Sequence, residues 1–132
     1  MAIMIRKPAL DVPFRRGKVQ KQPDYLAALH RLPCVISGVY GVEAAHISFA
    51  APEWGHRGRG KGTKAHDRWC LPLLPEHHAA QHRMNEAGFW ASRGIDPHRL
   101  ALIIYGLWCE YGVDFVDYAE AVIMANIQER RA

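Results

Sequence analysis

The spacing of apolar residues divides this 132-residue chain into an extended region and a helical C-terminal half. Leu100, Leu102, Ile103, Ile104, Leu107 and Trp108 crowd one segment, with Asp96-Pro97 in front of it and Gly112 behind. A capping aspartate followed by proline at the first helical position predicts a helix over 98–110, largely buried. Phe115, Tyr118, Ala119, Val122 and Ile123 recur at helical spacing, so a last helix is expected over 115–128 with Asp114 as its cap. Pro75 and Glu76 suit a helix start and Gly88 a stop, which predicts about three turns over 75–87. A short helix over 25–31, capped by Asp24, ends before Pro33.

Between these helices the period shortens to two. Cys34-Val-Ile-Ser37 is β-rich, Gly38-Val-Tyr-Gly41 supplies a turn, and 42–47 returns as a second strand, so a hairpin is expected with Val42, Ala44 and His46 on one face. Residues 69–74 form a further apolar extended segment in which Pro72 argues for an edge. The expected class is α+β. A small hairpin and a helix form a core over 34–88, C-terminal helices follow over 89–132, and the single domain spans 24–132. Residues 1–23, interrupted by Pro8, Pro13, Gly17 and Pro23, read as a basic irregular arm.

Composition fits one domain, with 49% hydrophobic and 23% charged residues. No apolar run approaches the roughly 20 residues that cross a bilayer, and the N-terminus lacks a long apolar stretch with a cleavage site, so the expected compartment is cytoplasmic. Cys34, Cys70 and Cys109 are too few and too far apart for a disulfide framework, and reduced thiols are expected.

The net charge of +4 is unevenly spread. Residues 1–21 carry six basic side chains against Asp11, and the loop over 53–68 carries five against two acidic, whereas residues 69–132 are net acidic. Within that loop Arg57, Arg59, Lys61 and Lys64 alternate with Gly58, Gly60 and Gly62. Glycine allows close backbone approach and the side chains supply charge, which suits phosphate contact. A solvated basic tail and loop is the other reading of the same pattern.

Eight histidines in so short a chain carry the candidate chemistry. On the helix over 75–87, His78 and His82 are four residues apart, project about 40° apart on neighbouring turns, and can grip one ion. That spacing alone also suits packing. His46 at the end of a strand upstream changes the picture, because a strand histidine, a connecting loop and a helix with further histidines form an ordered set of parts. His77, His56, His66, His30 and His98 read as packed, solvated, phosphate-facing or surface residues.

The stretches VEAAHI (42–47), KAHDRWCLPLLPEHHAAQHRMNE (64–86) and FWASRGIDPHRLALIIYGLW (89–108) resemble small phage- and prophage-type HNH, or ββα-metal, endonucleases related to the phage recombination-enhancement nuclease group. The resemblance covers about residues 34–108. It implies a metal-dependent DNA endonuclease with His46 as general base and His78 and His82 as ligands of one divalent ion, Mg²⁺ or Mn²⁺ in action, with Zn²⁺ able to occupy the site. Asp67 would orient His46 or complete the metal shell. Arg57, Arg59, Lys61 and Lys64 would contact DNA, and a recombinase filament is the suggested protein partner. The chain departs from the pattern at four places. Cys34-Val-Ile-Ser37 and Leu74-Pro-Glu-His77 replace two C-x-x-C pairs, which excludes a four-thiolate zinc. Ala45 stands where a carboxylate or histidine often precedes the base, and no asparagine matches the one in the family name. A catalytically inactive relative that binds nucleic acid or serves recombination is the alternative.

Overall fold

The computed structural model describes residues 21–58 and 65–132. Among them the chain forms α1 (Pro23–Leu29), β1 (Glu43–His46), a 3-10 turn (Pro52–Trp54), a second 3-10 turn (Asp67–Trp69), β2 (Cys70–Leu73), α2 (Pro75–Arg83), α3 (Glu86–Ser92), α4 (Pro97–Tyr111), a 3-10 turn (Gly112–Phe115) and α5 (Val116–Arg131). The architecture is α+β, one two-stranded antiparallel sheet among helices. No described helix is long and apolar enough to cross a membrane. The basic arm over 1–23 falls almost wholly outside the described residues.

The expected hairpin is corrected. β1 pairs with β2, not with 34–37, in the register Glu43↔Leu73, Ala44↔Pro72, Ala45↔Leu71 and His46↔Cys70. Residues 34–37 close on themselves: the Cys34 amide donates to Val39 O at 2.9 Å and the Gly38 amide to Cys34 O at 2.8 Å. Gly38 adopts φ +76, which a glycine tolerates without strain. Cys34 to Ser37 therefore cannot run alongside β1, and only Val35, donating to Pro72 O at 3.1 Å, touches the outer edge of β2. The Ile47 amide donates to Trp69 O at 2.7 Å, which sets the parity of the ladder. By that parity Pro72 sits at a position whose amide faces away from β1, so its missing N–H costs no ladder bond.

The same parity turns the His46 carbonyl and the Ser48 amide toward the open edge of β1. The break between α2 and α3 supplies their partners. Gln81 Nε2 donates to His46 O at 3.0 Å, and the Ser48 amide donates to the Glu86 carboxylate at 3.1 Å. Gln81 also donates to Glu86 Oε2 at 3.0 Å, so the two side chains form one bracket along the strand edge. Buried backbone groups need such partners.

That break corrects the expected helix over 75–87. Met84 is extended, and Asn85 caps a new helix by accepting from the Gly88 amide at 2.9 Å, so Gly88 lies inside α3. An asparagine with Glu86 behind it forms a better helix start than a helix interior. Two other caps move. α1 opens at Gln22 with Pro23 in its first turn and Asp24 following, and α5 begins after the 3-10 turn with no side-chain cap from Asp114. Asp96 caps α4 as expected, accepting from the Arg99 amide.

Buried residues from Tyr25 on α1 to Ile127 on α5 form one cluster. The sheet contributes Ala45, Cys70, Leu71 and Leu73, α3 contributes Phe89 and Trp90, and α4 and α5 contribute Leu100, Ile104, Ala119 and Ile123. β2 is buried along its whole length, which is why its sequence reads as a continuous apolar run.

Candidate catalytic centre

β1 alternates in burial, with Ala45 and Ile47 inside and Ala44 and His46 half-buried. His46 is its last residue, at the mouth of the long connection to β2. Its Nε2–H donates to Asp67 Oδ1 at 2.9 Å. An ionised carboxylate only accepts, so this bond fixes the proton on Nε2 and leaves the Nδ1 lone pair free of any partner among the described residues. The second oxygen of Asp67 accepts from the Gln22 amide at 2.6 Å, which ties the carboxylate to the start of α1. Asp67 is buried, while the His46 side chain keeps 30% of its surface open to solvent. A carboxylate held from two sides thus orients an imidazole that water can reach.

Cys70, opposite His46 in the register, completes the neighbourhood. One ligand atom from each of His46, Asp67 and Cys70 lies within 4.8 Å of the other two. Burial, and then the Asp67 charge, push the Cys70 thiol far above its ordinary range, so it stays protonated unless a metal displaces the proton.

The connection after His46 is pinned by two histidines read from sequence as solvated or surface residues, and this is corrected. His56 and His98 are each 2% exposed. His56 Nε2 donates to Ile47 O at 2.8 Å and its Nδ1 accepts from the Gly58 amide at 2.7 Å. His98 Nε2 donates to Phe49 O at 2.9 Å. The two rings meet at 5.0 Å between centroids and both pack on Trp69. Burial lowers the pKa of His56, consistent with a neutral ring that both donates and accepts. This stack holds the backbone beyond His46 against α4. His66 accepts from the Arg68 amide at 2.9 Å and so caps the turn that carries Asp67.

His78 and His82 lie on α2 with ring centroids 4.9 Å apart. His78 Nδ1 donates to Glu43 Oε1 at 3.0 Å. Glu43 and His46, three residues apart on one strand, leave it on opposite faces. The structure therefore brings His46 together with Asp67, and His78 with His82 and Glu43. Among the described residues the three imidazoles do not share one cluster of ligand atoms. Of the four basic loop residues, Arg57 is described and exposed, and Arg59, Lys61 and Lys64 lie outside the described residues. A cleft of about 280 Å³ between the 49–53 segment and α3 is lined by Phe49, Trp90, Ile95 and His98, and by none of the candidate catalytic residues.

Sequence reasoning missed Cys70, Gln81, Glu86 and Glu43. Cys70 becomes visible only once β2 is paired with β1, and Gln81 only as a polar residue facing the strand edge.

The domain is thus an α+β fold in which a return strand and helix follow a strand ending in an aspartate-oriented histidine. The chain belongs to the family described as "Protein of unknown function (DUF968)", whose model matches residues 8–104. No curated protein and no solved structure matches it.

Proposed function

We propose that this protein is a divalent-metal-dependent DNA endonuclease of the ββα-metal type, with His46 as general base. The observation that carries the reading is the pair of His46 with Asp67 at the mouth of β1, 2.9 Å apart. With its proton fixed on Nε2, the ring offers Nδ1 to a water. That water gives up a proton to Nδ1 as its oxygen attacks phosphorus, and the bond from phosphorus to the leaving oxygen breaks. Asp67 stabilises the imidazolium that results. The order of parts supports the same reading: base at a strand end, return strand, then a helix bearing His78 and His82.

Those two imidazoles fit a divalent ion, since nitrogen donors on adjacent turns leave further positions for water and a phosphate oxygen. When bound, Mg²⁺ or Mn²⁺ supplies charge neutralisation at the scissile phosphate and the leaving oxygen. Arg57, Arg59, Lys61 and Lys64 contact phosphates and the basic residues of 1–23 add non-specific affinity. The compartment proposed is the cytoplasm of a bacterial host, with a recombinase filament as the partner implied by the resemblance.

The test is incubation of the purified chain with supercoiled and single-stranded DNA in Mg²⁺, Mn²⁺ or Zn²⁺. His46→Ala abolishes cleavage and spares DNA binding; near-normal cleavage by that variant overturns the base assignment. Ala45, which brings no ligand beside the base, favours a second reading as an inactive nucleic-acid-binding relative. Tight binding without product in every metal decides for it.

A further inference from the structure

We infer that His46, Asp67 and Cys70 form a zinc site that silences the base. The inference rests on the reading of His46 as base, and it adds a regulatory ligand of the same residue. Three donors of different chemistry converge there: an imidazole, a carboxylate and a thiol, with ligand atoms all within 4.8 Å of one another. They come from a cross-strand pair, His46↔Cys70, and from the turn three residues before Cys70. The ladder therefore sets the backbone positions of His46 and Cys70, and the Gln22 amide holds the Asp67 carboxylate from behind.

The spacing comes near that of a tetrahedral ion, with the pairs that include the Cys70 sulfur closing from within 4.8 Å. With Zn–S of about 2.3 Å and Zn–N or Zn–O of about 2.0–2.1 Å, neighbouring donors sit about 3.3–3.6 Å apart. His46 Nε2 and Asp67 Oδ1 stand 2.9 Å apart and need to open by only about half an ångström. The thiolate, which the His78 and His82 pair lacks, selects zinc over magnesium, a cation that prefers oxygen donors. Cys70 and Asp67 are buried and His46 is partly open, so the ion enters from the histidine side and its fourth position faces water.

Coordination rearranges protons without any redox change. The Cys70 S–H proton leaves to solvent as the S–Zn bond forms, since zinc binds thiolate. Nε2 becomes a ligand, so the single ring proton moves to Nδ1, and no lone pair is left to accept a proton from water. Zinc bound here switches off the base, whatever ion His78 and His82 hold.

The test titrates Co²⁺, as a coloured stand-in for zinc, into the metal-free full chain. A thiolate-to-cobalt charge-transfer band saturating at one equivalent, displaced by Zn²⁺, is expected. Cys70→Ser abolishes the band and His78→Ala/His82→Ala retains it. No band, or a band unchanged in Cys70→Ser, overturns the site. Because Cys70 is buried, far-ultraviolet circular dichroism checks the fold of that variant. Asp67→Asn gives a second reading, with zinc affinity lowered at least tenfold; unchanged affinity overturns the proposed ligand set. In the cleavage assay, one equivalent of zinc against a large excess of Mg²⁺ lowers the rate at least tenfold in the parent chain, and the ratio with and without zinc stays near one in Cys70→Ser. Cleavage that zinc at this site accelerates overturns the silencing role. If no metal supports cleavage, the nuclease reading fails while the cobalt band still decides whether the site binds.

Discussion

Replacing His56 tests whether the segment after His46 is held by buried imidazoles. His56→Ala removes two hydrogen bonds, to Ile47 O and from the Gly58 amide, and opens a void against Trp69 and His98. Each bond contributes about 1 kcal/mol, leaving a buried carbonyl unsatisfied costs about 1–3 kcal/mol, and deleting a buried ring costs about 3–5 kcal/mol when the cavity persists. Relaxation of the segment toward solvent recovers part of this, so a loss of about 3–4 kcal/mol is expected. For 132 residues that is a fall in Tm of roughly 10–15 °C. His56→Phe refills the volume and lacks both bonds, and should lose about 2–3 kcal/mol. Urea and thermal unfolding followed by circular dichroism measure both. The pH dependence gives a second reading. Burial depresses the folded-state pKa of His56 below its unfolded value, so the unfolded chain takes up the proton first. The stability this imidazole contributes is complete above the unfolded pKa, about 6.5, and declines as pH falls from there toward the folded-state value. His56→Phe should flatten the unfolding free energy over that acid limb. A His56→Ala chain within about 1 kcal/mol of the parent, or an acid limb unchanged in His56→Phe, would refute the anchoring argument.

Three further outcomes are expected. Asp67→Asn should lower the single-turnover cleavage rate about 10²–10⁴-fold with DNA affinity retained, because the one amide oxygen is taken by the Gln22 amide and the amide nitrogen, a donor, then faces Nε2 and no longer fixes a proton there; gel-shift and cleavage assays on the same preparation separate the two. Glu86→Ala strips the acceptor shared by the Ser48 amide and Gln81, and should cost about 1–3 kcal/mol in urea unfolding, with Glu86→Gln milder because one acceptor oxygen survives. Changing Arg57, Arg59, Lys61 and Lys64 together to alanine should flatten the plot of log affinity against log salt for duplex DNA by up to about 3.6, or 0.9 per lost phosphate contact.

What the sequence made legible follows from how local each signal is. Asp96-Pro97 and the apolar run behind it determine α4 from within one segment, and the structure agrees there to within a residue at the helix start. His46 at a strand end was equally readable, because a strand's period survives whichever strand pairs with it. The partner was not readable: Cys34-Val-Ile-Ser37 and Cys70-Leu-Pro-Leu73 are both short apolar runs, and the nearer one loses because it closes a turn on itself. The same limit hid the burial of His56 and His98. A histidine between glycine and arginine looks solvated until the turn before β2 brings Trp69, and α4 brings a second imidazole, to its face.

The fold also explains why the neighbourhood of His46 is crowded with polar side chains that do no chemistry of their own. A strand at the edge of a two-stranded sheet has unpaired amides and carbonyls on one side, and a long connection beyond it has more. Gln81 and Glu86 satisfy the strand edge, and His56 and His98 satisfy the connection at Ile47 and Phe49. With those groups held, the backbone at His46 has little freedom, and Asp67 needs only to fix the ring. Positional accuracy at the histidine is thus supplied by backbone hydrogen bonds to side chains far along the chain. Weakening that support at Gln81 or His56 should slow the proposed cleavage through loss of alignment, while leaving the His46 and Asp67 side chains chemically intact.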